Sequence, residues 1–417
     1  MANVWELIKV VLQTFPMMVT DLRYILIVAV VFVLVYRQYN KVLNYEMRMF
    51  NLKRLKPFQE TITALIYGIG GGLTATALFV GLGVSLSNAG IAYLWLTALF
   101  LMLIHPRFLC FAYAGGLVSL VSLLTGYPEL DIASVMALVA ILHLVEALLI
   151  FINGHDNPSP MYFKHANGDI VGGFTMQKFW PMPTIALLGV AILNSGAELQ
   201  TVAMPSWWPI FRTGVTVPAN HVLVHVLFPI VVALGYSDFV QTELPRTKAK
   251  RSAGHLLIYS IVLLAFAILG NKYRAFVILA VLFAPLGHEL IIHLGQKRER
   301  DNDPVFQCDD GVMVLAVYPN SPAEEMGLGP GDVIKSVNGI AVGDLPELLN
   351  QVTPWLIDPV FVIENEFRAP QKRVVEYKGK VPPFGIIPVP HPRQGVYVQI
   401  KEGFLKRWLR KLRPGRK

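Results

Sequence analysis

Long apolar segments fill most of this 417-residue chain up to about residue 296, and they constrain its fold more than any other feature. Of all residues, 54% are hydrophobic and only 15% are charged, whereas soluble domains contain about 25% charged residues. A helix of roughly 17 to 25 apolar residues can cross the hydrocarbon core of a membrane. We therefore predict an α-helical polytopic membrane domain over residues 20–296. Nine spans are predicted, within a range of eight to ten, at residues 20–37, 60–84, 89–105, 108–125, 132–152, 180–195, 217–236, 255–270 and 275–295.

Basic residues set the predicted orientation, because lysine and arginine concentrate in the cytoplasmic loops of membrane proteins. The loop after the first predicted span carries six such residues between Arg37 and Lys56, and Lys297, Arg298 and Arg300 follow the last span. Both segments are predicted to be cytoplasmic, which also places the C-terminal part of the chain in the cytoplasm. The same bias, together with anionic lipid, accounts for the formal charge of +8, so no nucleic-acid partner is predicted.

Both ends of the chain are predicted to contact the membrane surface. In residues 1–19, Val4, Ile8 and Val11 share one helical face, which is typical of an interfacial amphipathic helix. A buried extra span is the alternative. Residues 381–417 are predicted to form a Pro-rich linker and a basic amphipathic tail. The part of the tail that begins at Phe404 and ends at Lys417 is predicted to bind anionic lipid, with a solvated tail as the alternative.

Residues 303–380 have the composition of a small α/β module. Strands are predicted at 311–317, 360–364 and 373–377, with a short helix at 345–352. Ser321 and Pro322 form a helix start, with an N-cap before a first-turn proline, and Asn338-Gly339 is typical of a type I′ hairpin. Together with the Gly-Leu-Gly-Pro-Gly-Asp segment at 327–332, this pattern resembles a bacterial PDZ domain of the kind found in HtrA-like and site-2 proteases.

The resemblance implies a peptide-binding groove in this module. PDZ domains bind an extended segment as an added strand at a sheet edge, and backbone amides capture a terminal carboxylate. By resemblance, the first strand would supply the amides and an apolar pocket, and the short helix would line that pocket. The residues concerned are Gly311, Val312, Met313, Val314 and Leu348. Packing in the domain core is the alternative for each of the apolar side chains.

Ionisable side chains inside the predicted spans are functional candidates, because leaving them in lipid is costly. These residues are His143, Glu146, His221, His225, His288 and Glu289. A zinc metalloprotease would carry the motif H-E-x-x-H on one helix face. His221 and His225 have the spacing of the two histidines, but residue 222 is valine rather than glutamate. The His288-Glu289 pair is followed by His293, one position too late.

Neither motif is intact, so we predict no enzyme activity, no cofactor and no metal site, and a polar network that fixes helix packing instead. Because Cys110 and Cys308 are the two cysteines, neither a disulfide framework nor a cysteine-based metal site is expected. Two alternatives stay open: an intramembrane zinc metalloprotease with a PDZ substrate gate, and a transporter whose pathway these residues line. The glycine-rich run at residues 68–72 is predicted to allow close packing between helices.

The layout of the chain, with many spans before one C-terminal PDZ domain and no intact catalytic motif, resembles the MinJ-like cell-division topology proteins of Firmicutes. The segments Met-Gln-Lys-Phe-Trp-Pro-Met-Pro at 176–183 and Pro-Leu-Gly-His-Glu-Leu at 285–290 extend the resemblance to the sequence level. The resemblance implies a scaffold in the plasma membrane that binds partner proteins through its PDZ groove. It also implies the partners, which are a DivIVA-like protein and the Min division inhibitor.

Overall fold

The computed structural model describes residues 4–194, 201–211, 214–365, 367, 372–381 and 383–390. The predicted lipid-binding tail from Phe404 to Lys417 lies outside the described residues. Residues 4–301, which we call the apolar part, contain eight helices and three strands. The helices are α1 (Val4–Thr20), α2 (Leu22–Phe50), α3 (Pro57–Leu82), α4 (Ile91–Ile104), α5 (Phe111–Thr125), α6 (Ile132–Asn153), α7 (Pro245–Gly270) and α8 (Arg274–Asp301). The strands are β1 (Ser159–Lys164), β2 (Ile170–Leu193) and β3 (His221–Val240), and a 3₁₀ turn (Pro106–Leu109) joins α4 to α5.

Five helices in the described part of the chain are long and apolar enough to cross a membrane, namely α2, α3, α6, α7 and α8. Two more, α4 and α5, are apolar but contain only 14 and 15 residues. The predicted spans at 180–195 and 217–236 are wrong, because these segments lie in strands β2 and β3. The helical character of the other seven predicted segments is confirmed.

Prolines explain why two apolar segments are strands. Pro181, Pro183 and Pro229 would each remove a hydrogen bond and clash with the preceding turn inside a helix. The many valines and isoleucines around them favour a pleated, half-buried strand. A continuous apolar run has no periodicity that separates a buried strand from a helix. Length alone therefore gave the incorrect prediction.

Strands β2 and β3 form a long antiparallel hairpin whose register runs from Phe174 opposite Val240 to Leu193 opposite His221. On its other side β2 pairs with β1, but only over the first residues of β2, up to Thr175. Beyond that point the free edge of β2 packs against α3. The sheet order is therefore β1-β2-β3. Beyond Thr175, helix α3 occupies the side of β2 that β1 occupies before it.

The glycine-rich run of α3 lies against both β2 and α6, so the predicted close packing with a helix is present at Gly71 and a strand is a second partner. A Cβ atom at Gly68 would lie 2.0 Å from the carbonyl oxygen of Pro181, and one at Gly72 would lie 1.9 Å from that of Pro183. Both contacts are with backbone, which cannot move aside as a flexible side chain can. Only glycine allows α3 to approach the strand this closely.

The free edge of β2 has its amide groups satisfied by α3 and the loop that follows it. Pro181 and Pro183 have no amide hydrogen, which suits an unpaired edge. The amide of Ile185 donates to Thr76 Oγ1 at 2.9 Å, and the amide of Gly189 donates to Ser87 Oγ at 2.7 Å. Buried backbone donors must find partners inside the protein when water is excluded. These side chains therefore allow a strand edge to lie within apolar surroundings.

The second part of the chain forms a sheet of order β8-β7-β5-β4-β9, with β6 paired to β5. Its elements are β4 (Val312–Val317), α9 (Pro322–Glu325), β5 (Asp332–Val337), β6 (Ile340–Ala341), α10 (Leu345–Gln351), β7 (Val360–Asn365), β8 (Arg373–Glu376) and β9 (Ile386–Pro388). The predicted strands, the short helix and the cap are confirmed, since Ser321 Oγ accepts from the amide of Glu324. The hairpin turn is also confirmed, with positive φ at Asn338 and Gly339. Strand β9 lies beyond residue 380, where we predicted the module to end.

The second part docks on one end of the apolar part, where α2, α6 and α8 end. Buried ion pairs gather at this end. Lys178 Nζ lies 3.2 Å from Glu60 Oε2, and Lys248 Nζ lies 3.3 Å from Glu299 Oε1. Glu299 also accepts hydrogen bonds from the amides of Gln241 and Thr242, which fixes the end of β3 to α8. Lysines of β2 and α7 therefore pair with glutamates of α3 and α8 in this region.

Candidate functional site

The predicted groove strand, β4, lies inside the sheet. It pairs with β5 through Val312 and Met313 and with β9 through Val314, so hydrogen bonds occupy both of its edges. These three side chains are buried, with at most 4% of their surface exposed. The amide of Gly311 donates to the carbonyl oxygen of Gly343 at 2.9 Å. The backbone groups predicted to receive a peptide are therefore used within the domain, and the side chains belong to its core.

Strand β9 takes the position beside β4 that an added peptide would need. The amide of Val389 donates to the carbonyl of Met313, and the amide of Tyr318 donates to the carbonyl of Gly385, both at 2.8 Å. In an antiparallel pair, successive residues direct their backbone groups to opposite sides. Because Gly385 and Val389 face β4, Ile386 directs its N–H and C=O away from it. The outer edge of β9 is therefore one of the two ends of this sheet, and β8 forms the other.

The turn before β9 has a conformation that requires glycine. Gly385 has a φ of +83°, and a Cβ atom there would lie 2.2 Å from Cβ of Ser321. Phe384, next to it, is 8% exposed and belongs to the same hydrophobic cluster as Leu348 of α10, with Ile386 partly buried against that cluster. The outward-facing strand edge and the glycine turn therefore lie at the margin of the hydrophobic core of the domain.

One outward group of β9 is already bonded to the apolar part. Tyr162 of β1 donates its hydroxyl hydrogen to the carbonyl oxygen of Pro388 at 2.7 Å. Its ring contacts Phe50 edge to face, with ring centroids 5.0 Å apart, and the hydroxyl of Tyr318 donates to the carbonyl of Phe50. Burial raises the pKa of Tyr162 to about 12, so its phenol stays a neutral donor at physiological pH.

One face of the sheet β8-β7-β5-β4-β9 packs on the apolar part. Phe306, which follows α8, stacks edge to face on Phe174 of β2 with a centroid distance of 5.1 Å. The carbonyl of Phe306 accepts from the amide of Gly172 at 3.1 Å. Met313, Leu315 and neighbouring residues of the sheet belong to the same hydrophobic core as the helices. The domain is therefore held in a defined position rather than suspended on a linker.

The ionisable residues predicted inside spans fall into two groups. His221 and His225 lie on β3, where His225 packs on the ring of Trp208 at a centroid distance of 4.9 Å. Strand geometry places these two residues four positions apart along an extended chain, so they do not share a helical turn. Glu146 lies on α6, one turn after His143 and partly buried. None of these three joins the cluster described next.

His143 and His288 come together with Cys110, which was not among the predicted site residues. Cys110 Sγ lies 3.0 Å from His143 Nε2 and 3.8 Å from His288 Nε2. Glu289 contributes indirectly, since its carboxylate accepts a hydrogen bond from Tyr113 at 2.8 Å. No local motif marked Cys110 in the sequence, because its two histidine partners lie 33 and 178 residues away.

Two comparisons with known proteins bear on these features. A family profile described as PDZ domain matches residues 313–350. The chain is similar to the cell division topological determinant MinJ of Bacillus subtilis (strain 168), with 28% identity over 269 residues. That match covers 63% of this chain and 62% of the relative, so it spans less than two thirds of the relative's length. No solved structure matches the chain.

The comparisons confirm two predictions, namely the PDZ domain and the resemblance to MinJ-like proteins. The chain therefore combines a PDZ domain with several apolar helices of membrane-spanning length and with similarity to a cell-division protein. The H-E-x-x-H arrangement that the protease would require is not formed by the described histidines, because His221 and His225 lie on a strand.

Proposed function

We propose that this protein is a membrane-embedded adaptor for division-site placement, and that its PDZ domain binds an extended segment of a partner along the outer edge of β9. The observation that carries the proposal is the outward N–H and C=O of Ile386 at the margin of the hydrophobic core of the domain. An extended peptide adds to such an edge through main-chain hydrogen bonds, while side-chain pockets give specificity. The proposed groove is one strand removed from the groove predicted at residues 311–314.

The proposed partners are those that the resemblance implies, a DivIVA-like protein and the Min division inhibitor. The proposed location is the plasma membrane, with the PDZ domain in the cytoplasm, and the basic loops at the docking end support this orientation. Binding of anionic lipid by the tail from Phe404 to Lys417 stays a prediction of the sequence. Both partners are proposed to bind as proteins, without a cofactor in the groove.

The experiment is a binding assay with the full-length protein in nanodiscs. The DivIVA-like protein, the Min inhibitor and a library of displayed C-terminal peptides are tested against the wild type and against Ile386→Pro. The proline removes the outward N–H but not a bond to β4, and Pro388 already occupies an equivalent outward position. We expect affinity to fall about tenfold, because one backbone hydrogen bond and the fit of the added strand are lost.

A side-chain pair of equal exposure provides the matched control. Leu349 on α10 is 63% exposed and Val374 on β8, at the opposite end of the sheet, is 62% exposed. By the resemblance to PDZ domains α10 lines the groove, so Leu349→Asp is expected to weaken binding, whereas Val374→Asp is expected to leave it unchanged. Loss of binding only in Val374→Asp would move the site to the β8 edge. Failure of both division proteins to bind the wild type would remove support for the adaptor role.

A further inference from the structure

A cluster of three potential metal ligands lies in the apolar part, far from the PDZ groove. Cys110 lies at the start of α5, His143 in the middle of α6 and His288 in α8. One ligand atom from each lies within 4.8 Å of the other two. His143 is 3% exposed, while Cys110 and His288 are partly buried. Three elements that are distant in sequence therefore bring sulfur and imidazole nitrogen to one point.

Hydrogen bonds at the far side of each ring fix which nitrogen faces the cluster. His143 Nδ1 lies 2.7 Å from the carbonyl oxygen of Val139. A carbonyl oxygen can only accept, so Nδ1 carries the hydrogen and Nε2 presents a lone pair to Cys110. Histidines that bind metals typically donate their other N–H to a carbonyl or carboxylate in this way.

The second histidine is fixed by a longer chain of contacts. Tyr113 donates its hydroxyl hydrogen to Glu289 at 2.8 Å, so its oxygen can accept from His288 Nδ1, which lies 3.3 Å away. Arg107 holds the carboxylate of Glu289 in place through an ion pair of 3.0 Å. His288 Nε2 is then also an acceptor and faces the sulfur. Both imidazoles therefore direct a lone pair to the same small volume.

A thiol alone cannot satisfy this arrangement. The single S–H hydrogen of Cys110 can be donated to one of the two nitrogens at a time, which leaves the other lone pair without that donor. A cation between the three atoms would satisfy the thiolate and both imidazoles at once. The amide of Ala112 also points at the sulfur, at 3.4 Å, and a helix N-terminus favours negative charge there.

We infer that Cys110, His143 and His288 form a zinc-binding site. Thiolate and imidazole ligands suit zinc, and three protein ligands leave a fourth tetrahedral position for water or another ligand. Zinc–sulfur and zinc–nitrogen bonds of ordinary length would separate sulfur from nitrogen by about 3.5 Å. The observed separations of 3.0 and 3.8 Å lie on either side of that value. The site differs from the sequence-based expectation, which contained no metal site.

The position of the site connects helices that are distant in sequence. Tyr259 of α7 contacts both histidine rings, with centroid distances of 5.5 and 5.7 Å, and its hydroxyl donates to the carbonyl of Ala284 in α8. Zinc would therefore hold α5, α6 and α8 around α7. Helix α8 continues directly to Phe306 and the docked PDZ domain. The ion would fix the helix that positions this domain, and this inference does not depend on the identity of the PDZ partner.

The test measures zinc bound to the full-length protein in detergent after removal of metal and reloading with zinc alone. We expect about one zinc per chain for the wild type, and a loss of affinity of more than tenfold in Cys110→Ser and in His288→Ala. His293→Ala is the matched control, because His293 lies on the same helix but is exposed. This control is expected to bind zinc like the wild type.

Loading with cobalt adds a signal that folding alone does not change. Cobalt bound by thiolate and imidazole is expected to give a sulfur charge-transfer band that disappears in Cys110→Ser. Tyr113→Phe, which keeps every ligand but breaks the contact to His288, is expected to weaken binding about 10- to 100-fold, as loss of outer-shell partners does. Wild-type protein that fails to bind zinc, that binds only copper, or that keeps its zinc in Cys110→Ser and His288→Ala would overturn the inference.

Discussion

The outer edges of β2 and β9 have opposite chemistry. Along β2, prolines have no amide hydrogen to leave unpaired, and Thr76 and Ser87 accept from the amides of the residues that follow. Along β9, Ile386 directs both of its backbone groups outward. The first edge is covered by α3 and the loop after it, whereas the second is the edge where we propose that a partner strand is added.

The difference follows from the surroundings of each edge. A strand next to apolar helices has no water to bond its backbone, so its groups must be paired within the chain. An unpaired edge at a water-facing surface is a template for another strand, which proteins block unless they use it. Glycines, prolines and hydroxyl groups therefore close the edge of β2. At the outer edge of β9, the corresponding contact is a hydrogen bond from the hydroxyl of Tyr162 to the carbonyl of Pro388.

The largest effect is expected from Gly72→Ala, which would separate α3 from the closed edge. The new Cβ would meet the carbonyl oxygen of Pro183 at 1.9 Å, whereas a Cβ at Gly70 meets no atom within 4 Å. We expect Gly72→Ala to lower the free energy of unfolding by about 3 kcal/mol, the upper end of the usual cost of overpacking. Gly70→Ala is the control and is expected to change it by less than about 1 kcal/mol. Thermal unfolding in detergent measures both, and equal melting temperatures would contradict the close approach.

The closed edge shows what sequence patterns can and cannot predict. Seven of nine predicted spans are helices because their apolar runs are long, and only the last of them has an internal proline, Pro285 in α8. The other two had prolines that argued against helices, but a strand that crosses an apolar core has no sequence signal of its own. The glycines of α3 were recognised as a packing surface. Their partner was not predictable, because it lies more than a hundred residues away in sequence.

The next effect in size is expected from Thr76→Val, which opens the closed edge by one hydrogen bond. Valine keeps the shape of threonine but leaves the amide of Ile185 without its acceptor. An unsatisfied buried donor costs about 1–3 kcal/mol. Thr74→Val is the control, since Thr74 is only half-buried and bonds within its own helix, to the carbonyl of Gly70. Chemical unfolding of the two variants should separate them, and a matching stability would mean that Ile185 finds another acceptor.

The sequence predicted the elements of the PDZ domain better than the position of its groove or the cluster around Cys110. The turn and helix signals of the PDZ domain are local, so Ser321-Pro322 and Asn338-Gly339 were interpreted correctly. The groove depends on which strand ends the sheet, and β9 comes from a Pro-rich stretch that predicted a linker. Cys110 was set aside because metal motifs in sequence rely on fixed spacing. Its partners are His143 and His288, whose distance in sequence follows no such spacing.

The smallest effect is expected from Tyr162→Phe, which removes the one bond that partly covers the open edge. Losing this hydrogen bond is expected to weaken docking of the PDZ domain by about 1 kcal/mol and to free the carbonyl of Pro388. An added strand could then pair with both outward residues, so peptide affinity should rise up to about fivefold. Because burial raises the pKa of Tyr162 to about 12, the phenol stays protonated and the difference should be constant between pH 6 and 9. Tyr45→Phe, at a position 57% exposed, is the control. Peptide titration in nanodiscs measures the change, and a decrease in affinity would show that the hydroxyl supports the groove rather than competing for it.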